Sequence, residues 1–336
     1  MVKENNQPTV VDLFAGGGGF SYGFKKEGFT ISSAVEINAA AAQTYERNIQ
    51  PLQLLVEDIR NISGRELINQ SPDVLIGGPP CEAYTPVSLN RMEYPTDRLY
   101  VDPRGRLTLE YIRLLAYLKP KVFVMENVIQ ITEGQLKYAL IEEFKWAGYE
   151  KIYFNIIRSE NYGSPSERTR VFISNIYLKD FLEQFRVYKK TTVWEAIGDL
   201  PKPDWPHDYW NHFWVDIPKK FKKRWDKLKF GQAALFFGKK GQTFKDYTKL
   251  HPDKISPTVK GSGRFLHPYQ PRLLSVREQA RLMTYPDDYV FEGGINEQYN
   301  QVGESVQPLI SNLIAKAVKE FLENGNRNWN FQPEFV

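Results

Sequence analysis

The sequence is short of cysteine: Cys81 is the only one in 336 residues. That excludes an internal disulfide and any zinc cage built from several thiolates. Histidine is almost as scarce, and the four present, His207, His212, His251 and His267, lack the spacing of a metal site. There is no apolar run near the roughly 20 residues that a membrane helix needs. The N-terminal stretch MVKENNQPTVV shows no basic region leading into an apolar one and a small-residue cleavage site, so the expected compartment is the cytoplasm. Internal repeats and low-complexity tracts are absent as well.

What is there has the balance of a folded protein, with 42% hydrophobic and 25% charged residues. A chain of this length outgrows one core, so a main domain with a smaller companion is expected. The net charge is +4, yet 14 Lys and Arg face 6 Asp and Glu between Pro201 and Lys260, a local +8 that leaves −4 for the rest. That stretch also holds Trp205, Trp210, Trp214 and Trp225, four of the seven tryptophans. Cations interleaved with aromatics suit either a solvated surface over a small aromatic core or a face that tracks phosphates.

The first 180 residues alternate short apolar strands with amphipathic helices: TVVDLFAG, then FSYGFKKEGF; ISSAVEIN, then AAAAQTYERNI; PDVLIGG, LTLEYIRLLAYL and KVFVMENV. This rhythm predicts an α/β fold with a doubly wound parallel sheet, whose ligands sit beyond the carboxyl ends of the strands. Near Thr191 the rhythm gives way to proline-rich, then basic and aromatic sequence. It returns with PRLLSVREQARLMTYPDDY and a final amphipathic helix, PLISNLIAKAVKEFLE. The expected organisation is a catalytic domain over 1–190, a small domain over 191–272, a return to the catalytic domain over 273–327, and a tail over 328–336.

Two sites are expected on the sheet's carboxyl edge. In DLFAGGGGFS the glycines let backbone approach a ligand, while Glu36 and Asp58 stand at the next strand ends, placed to accept hydrogen bonds from a nucleoside. Ser21 breaks the full dinucleotide fingerprint, and the Asp12 carboxylate is expected to repel a pyrophosphate, which favours a sulfonium cofactor over NAD. In GGPPCEAYTP a thiol follows a strand, and Glu126 and Asn127 end another in VFVMENV. A lone cysteine is more often inert, but an acid facing it raises the reactive reading. Arg168 and Arg170, two apart in SERTRVF, should point to one side and favour the thiolate.

Taken in order, DLFAGGGGFS, Glu36, Asp58, GGPPCEAYT, ENV, ERTRVF, RLLSVREQARLMTYPDDY and YNQVGESVQP resemble the cytosine-C5 DNA methyltransferases along nearly the whole chain. The resemblance implies a Rossmann-like catalytic domain that binds S-adenosyl-L-methionine, a small target-recognition domain in the basic, aromatic segment, and a cleft for double-stranded DNA. It implies that Cys81 attacks C6 of a flipped cytosine, that Glu126 serves N3, and that Arg168 lies near O2, with Arg170 beside them. For the cofactor it implies Phe14 stacked on adenine, the turn Ala15, Gly16, Gly18 and Gly19 along the methionine part, Glu36 on the ribose and Asp58 on the adenine amine. Ile37 and Ile59 are the expected apolar walls, and Pro79 and Ser305 complete the cofactor set. A monomer without a membrane or metal is expected, with a cognate restriction endonuclease as the companion that restriction-modification systems carry.

Three residues depart from that pattern: Glu82 stands where glutamine is usual, Ser166 where another glutamine precedes the arginines, and Glu304 where asparagine follows glycine. Glu82 is expected to raise the thiol pKa. Competing readings are an RNA (tRNA) cytosine-5 methyltransferase of the same fold, a catalytically silent DNA-binding relative, and a nicotinamide-dependent dehydrogenase.

Overall fold

Strands β1 (Thr9–Leu13), β2 (Thr30–Val35), β3 (Leu54–Leu55), β4 (Val74–Gly77) and β5 (Val122–Asn127) pair in parallel, and in β4 and β5 every residue is buried. Unbroken apolar runs of this kind fit strands covered on both faces. The computed structural model describes residues 7–68, 71–86, 88, 91–238 and 243–325, so the expected tail lies outside the described residues.

The seven-stranded sheet has the order β3-β2-β1-β4-β5-β7-β6, with β6 (Tyr153–Arg158) and β7 (Thr169–Ser174) at one edge. It is not parallel throughout. β7 runs antiparallel to both β5 and β6, because the connection over residues 159–168 is too short for the crossover that a parallel return requires. Winding reverses at β1, which has β2 on one side and β4 on the other. That switch point opens a crevice at the carboxyl edge, where the turns after β1 and β4 diverge.

Alternation along each strand sends neighbours to opposite faces. Val10, Val74 and Val124 enter one core cluster, and Val11, Leu75 and Phe123 the other. The first is covered by helix α1 (Gly19–Lys26) and by the C-terminal helix Pro308–Asn324, and Gly23 lets them touch: a Cβ there would lie 2.3 Å from the Asn312 nitrogen. The second lies under helices Leu107–Leu118 and Gln135–Trp146. There Phe123 stacks on Phe144 at 5.0 Å between centroids, and truncating so buried a ring costs about 3–5 kcal/mol.

A three-stranded sheet of β8 (Ala233–Phe237), β9 (Phe244–Lys249) and β10 (Phe265–Leu266) carries its own small cluster, Ile217, Phe221, Ala234, Leu266 and Leu273. The first turns after Thr191 stay with the large core: helix Val193–Ile197, capped by Thr192, buries Val193 and Ile197 there. The chain returns through Arg272, whose buried guanidinium holds Glu278 in a bidentate pair at 2.6 Å, the same Glu278 that closes a capping box with Ser275. Among the described residues no helix is long and apolar enough to cross a membrane.

Candidate active site

The glycine turn follows β1 directly. Phe14 opens it in the left-handed region, at φ +59°, a conformation a bulky residue adopts only when its surroundings impose it. Gly18 is also left-handed, and a Cβ there would sit 2.7 Å from both Ile49 and the Tyr289 hydroxyl; at Gly16 (φ +54°) a Cβ would meet nothing within 4 Å. So Gly18 packs against the protein while Gly16 faces open space. Glu36 clasps the turn, its oxygens accepting from Gly16 N and Asn38 N at 2.7 Å each. Burial raises its pKa against those hydrogen bonds, and each oxygen keeps a lone pair for a ligand hydroxyl.

The other expected cofactor residues divide. Asp58 is held by Arg60 through its backbone and guanidinium, and these bonds depress its pKa to about 2. Ile37, beside Glu36, is an apolar side chain 66% exposed. Ile59 instead packs into the core, 4% exposed. Ala15 and Gly19 are buried in the turn, and a Cβ on Gly19 would lie 2.4 Å from the Val306 carbonyl, which seats Ser305 next to the same loop. Pro79 is buried, and its carbonyl accepts from Asn127 Nδ2 at 3.1 Å, tying the β4 turn to the end of β5.

Asp12 corrects an expectation. Its side chain lies beneath the turn, fully enclosed, accepting from Ser21 Oγ at 2.6 Å and Tyr45 at 3.3 Å. Burial lifts its pKa to about 7. It therefore braces β1 against α1 and α2 (Ala39–Ile49) and repels no ligand phosphate. Ser21, noted in the sequence only as a break in the glycine fingerprint, shares this role with Tyr45 and with Tyr289, whose hydroxyl donates to the Gly17 carbonyl; neither tyrosine was singled out in the sequence. A polar tip on a buried helix face was the available signal at Tyr45, while Tyr289 lies outside the helices and offered none.

Across the switch point, Cys81 ends the β4 turn half-buried, its carbonyl capping Tyr84 N and Thr85 N at 2.9 and 3.0 Å. Tyr84 anchors that turn from below by bonding Gly105 O and Thr108. Glu126, on β5, pairs with Arg170 Nε at 2.9 Å from its Oε1, and a Cβ on Gly78 would lie 3.4 Å from its Oε2. The acid thus stands between the arginine on β7 and the turn that carries the thiol.

The two arginines share a side, as the two-residue spacing predicts, but not a task. Arg168 is buried and bonds the carbonyls of Val259, Gly303 and Ser305 at 3.1, 3.0 and 2.9 Å. Its two terminal nitrogens tie the start of β7 to the last third of the chain while Nε has no partner, and Arg170 is the cation that pairs with the carboxylate. Nor do the pair deliver a thiolate. Burial, then Glu126, then Glu82 push the Cys81 thiol up to about 11, outweighing the opposite pull of both arginines. Glu82 acts in the expected direction. Glu304, the second departure to carry charge, has its own pKa raised by burial, then by Glu82 and Glu36.

The basic, aromatic segment is split between core and surface. Trp225 receives the Lys249 ammonium 3.8 Å above its ring, and Phe221 lies in the small cluster. Trp205, Trp210 and Phe236 are 58%, 55% and 56% exposed. Some of its rings are thus core and others surface. Among the described residues no group of His, Cys, Asp and Glu is arranged to hold a metal.

Comparison with known proteins accounts for this arrangement. Residues 8–320 match the family described as C-5 cytosine-specific DNA methylase. A Methanocaldococcus jannaschii protein named among the type II methyltransferases, M.MJ0563P, is 46% identical over 322 residues, which cover 94% of this chain and 100% of that relative. The type II methyltransferase M1.HphI of Haemophilus parahaemolyticus is 34% identical over 94% of this chain and 88% of its own length. Among solved structures, a DNA modification methyltransferase encoded within an E. coli prophage superposes with a TM-score of 0.74 at 25% identity, over 94% of this chain and 100% of that one. The S. pombe Dnmt2 methyltransferase, at 16% identity and a TM-score of 0.67, shares the fold. With its doubly wound sheet, and with thiol and acid on neighbouring strand ends, the chain belongs to the C-5 cytosine-specific DNA methylase family.

Proposed function

We propose that this DNA cytosine-5 methyltransferase works through a covalent bond between Cys81 and C6 of the target base, with S-adenosylmethionine as methyl donor. The observation that carries the reading is the placement of the protein's one thiol and the Glu126 carboxyl on adjacent strand ends at the switch point. C5 of cytosine is a poor nucleophile, so a sulfur must first add to C6 and turn the ring into an enamine. Because burial and two acids disfavour the thiolate, the Cys81 proton passes to water as the sulfur attacks. Glu126 gives a proton to N3 as electron density moves there, and Arg170 faces the carboxylate left behind.

The cofactor supplies an electrophilic methyl group, which the C5 electron pair takes. Loss of the C5 proton to water then restores the ring and expels the sulfur. Glu36 is placed to accept the ribose hydroxyls, Phe14 to stack on the adenine, and Asp58 to accept from its amine. The open side of Gly16 and the exposed Ile37 support that fit. None of this chemistry is reachable inside a stacked duplex, so the cytosine is flipped out at a cost of a few kcal/mol. The segment 191–272 acts as the target-recognition domain, with its exposed tryptophans and lysines toward the DNA. We further propose that the enzyme is a cytoplasmic monomer that acts beside a cognate restriction endonuclease.

Incubation of duplex DNA with the protein and methyl-labelled S-adenosylmethionine, followed by nucleoside analysis, tests the reading. Label in 5-methylcytosine is expected. Label confined to RNA supplied in parallel would establish the tRNA-type alternative, and none in either would leave a silent DNA-binding relative.

A further inference from the structure

Behind Glu126 lies a cavity of about 10 Å³, lined by Glu126, Arg168, Arg170 and Gln307 together with apolar side chains that include Phe172 and Val306. Three buried side-chain atoms around it have no hydrogen-bond partner: Glu126 Oε1, Arg168 Nε and Gln307 Oε1. Their residues are 8%, 4% and 2% exposed. Leaving three such atoms unpaired would be expensive, because each buried polar group without a partner costs about 1–3 kcal/mol. Arg170 Nε sits 2.9 Å from Glu126 Oε1 as a charge partner, but without an aligned hydrogen bond.

The Gln307 amide has a defined orientation. Ser166 Oγ donates to the Leu282 carbonyl at 2.8 Å, and Ser164 Oγ to the Ser166 carbonyl at 2.9 Å. Both hydroxyls have used their single hydrogen and can only accept, which they do from Gln307 Nε2 at 3.1 and 2.8 Å. The carbonyl end, Oε1, is therefore the end left for the cavity. Ser166 is one of the departures noted above, and the Gln307 amide is bonded to its hydroxyl.

We propose that the cavity is a built site for one water molecule, and that Gln307 is a positioning residue that holds this water against the rear oxygen of Glu126. The inventory matches one water: an N–H donor on Arg168 and two acceptors, on Gln307 and Glu126, meet one lone pair and two O–H groups. The volume is that of about one water-sized sphere, the lower bound for an ordered internal water. Bonded in this way, Oε1 is fixed from behind, while Oε2 faces the β4 turn. When Glu126 releases its proton, the water already donates to the carboxylate and steadies the charge.

This inference rests on the proposed role of Glu126, and its test separates the two. In a high-resolution crystal structure of the wild-type protein, one density peak is expected within hydrogen-bonding distance of all three atoms. An empty cavity, or a rearrangement that pairs the three atoms directly, would overturn the site whatever the enzyme methylates. Gln307→Met keeps the side-chain volume without polar atoms. It should lower the single-turnover methylation rate about tenfold, the scale of one hydrogen bond, with cofactor affinity unchanged; the melting temperature falls with the two bonds lost to Ser164 and Ser166, so the rate is compared well below it. An unchanged rate in a variant that has lost the water would remove the positioning role, and inactivity of the wild type would count against the reading of Glu126 alone.

Discussion

The two halves of the sheet's carboxyl edge are built from similar material and kept in opposite conditions. On the β1–β2–β3 side the polar groups are satisfied: Glu36 holds two backbone amides, and Asp58 holds Arg60. On the β4–β5–β7 side they are not, since the Cys81 thiol is pushed to about 11 and Glu126 Oε1 has no aligned donor. A binding half gains from being preorganised, because less freedom is lost when a ligand arrives. A reacting half gains from groups whose pKa values are displaced and whose bonds are unfinished, which is where chemistry concentrates. Sequence proximity plays no part, for the two halves meet only because winding reverses between β1 and β4.

The division can be broken from either side. Glu126→Gln should cut the methylation rate by about 10²–10⁴-fold, the range of a lost general acid, with cofactor affinity kept; a loss of cofactor binding instead would erase the boundary between the halves. Glu36→Ala is the mirror case. Cofactor affinity should fall about tenfold or more, since one charge-assisted hydrogen bond is worth about 1.5–3 kcal/mol, while the rate at saturating cofactor holds. Calorimetric titration beside single-turnover kinetics reads both.

Two smaller effects sharpen it. Glu82 raises the Cys81 pKa, so Glu82→Gln should move the midpoint of iodoacetamide alkylation to lower pH, and an unmoved midpoint would show that this carboxylate does not reach the thiol. Asp12, raised from 3.8 to about 7 in the folded protein, prefers its protonated form there. Its contribution to stability is complete below the unfolded value and is lost as pH rises through 7. Melting curves of wild type and Asp12→Asn should therefore diverge in favour of the variant over that window. Parallel curves would mean that Asp12 titrates normally.

Much of this was legible in the residues. Apolar strands and amphipathic helices up to Val128 fall where periodicity puts them, because burial on both faces of a parallel sheet leaves little choice of residue. The β6–β7 reversal was not legible from rhythm alone; it follows from the length of residues 159–168. At the site, Cys81, Glu126 and Glu36 announced themselves by position at strand ends. Arg168 and Arg170 could be assigned to one side by their spacing, but not to separate partners, since the carbonyls that hold the terminal nitrogens of Arg168 come from Val259, Gly303 and Ser305, far along the chain. Gln307 was missed for the same reason, its partners Ser164 and Ser166 lying across a tertiary contact.

The central claim is that Cys81 bonds to the target base. Duplex DNA carrying 5-fluorocytosine at the methylated position, incubated with the protein and methyl donor, should yield a stable protein–DNA adduct, because fluorine at C5 cannot leave as a proton does. Peptide mass spectrometry should place the pyrimidine on Cys81, and Cys81→Ser should bind the same DNA without forming the adduct. Methylation of ordinary DNA by the Cys81→Ser protein, or an adduct at any other residue, would contradict the account.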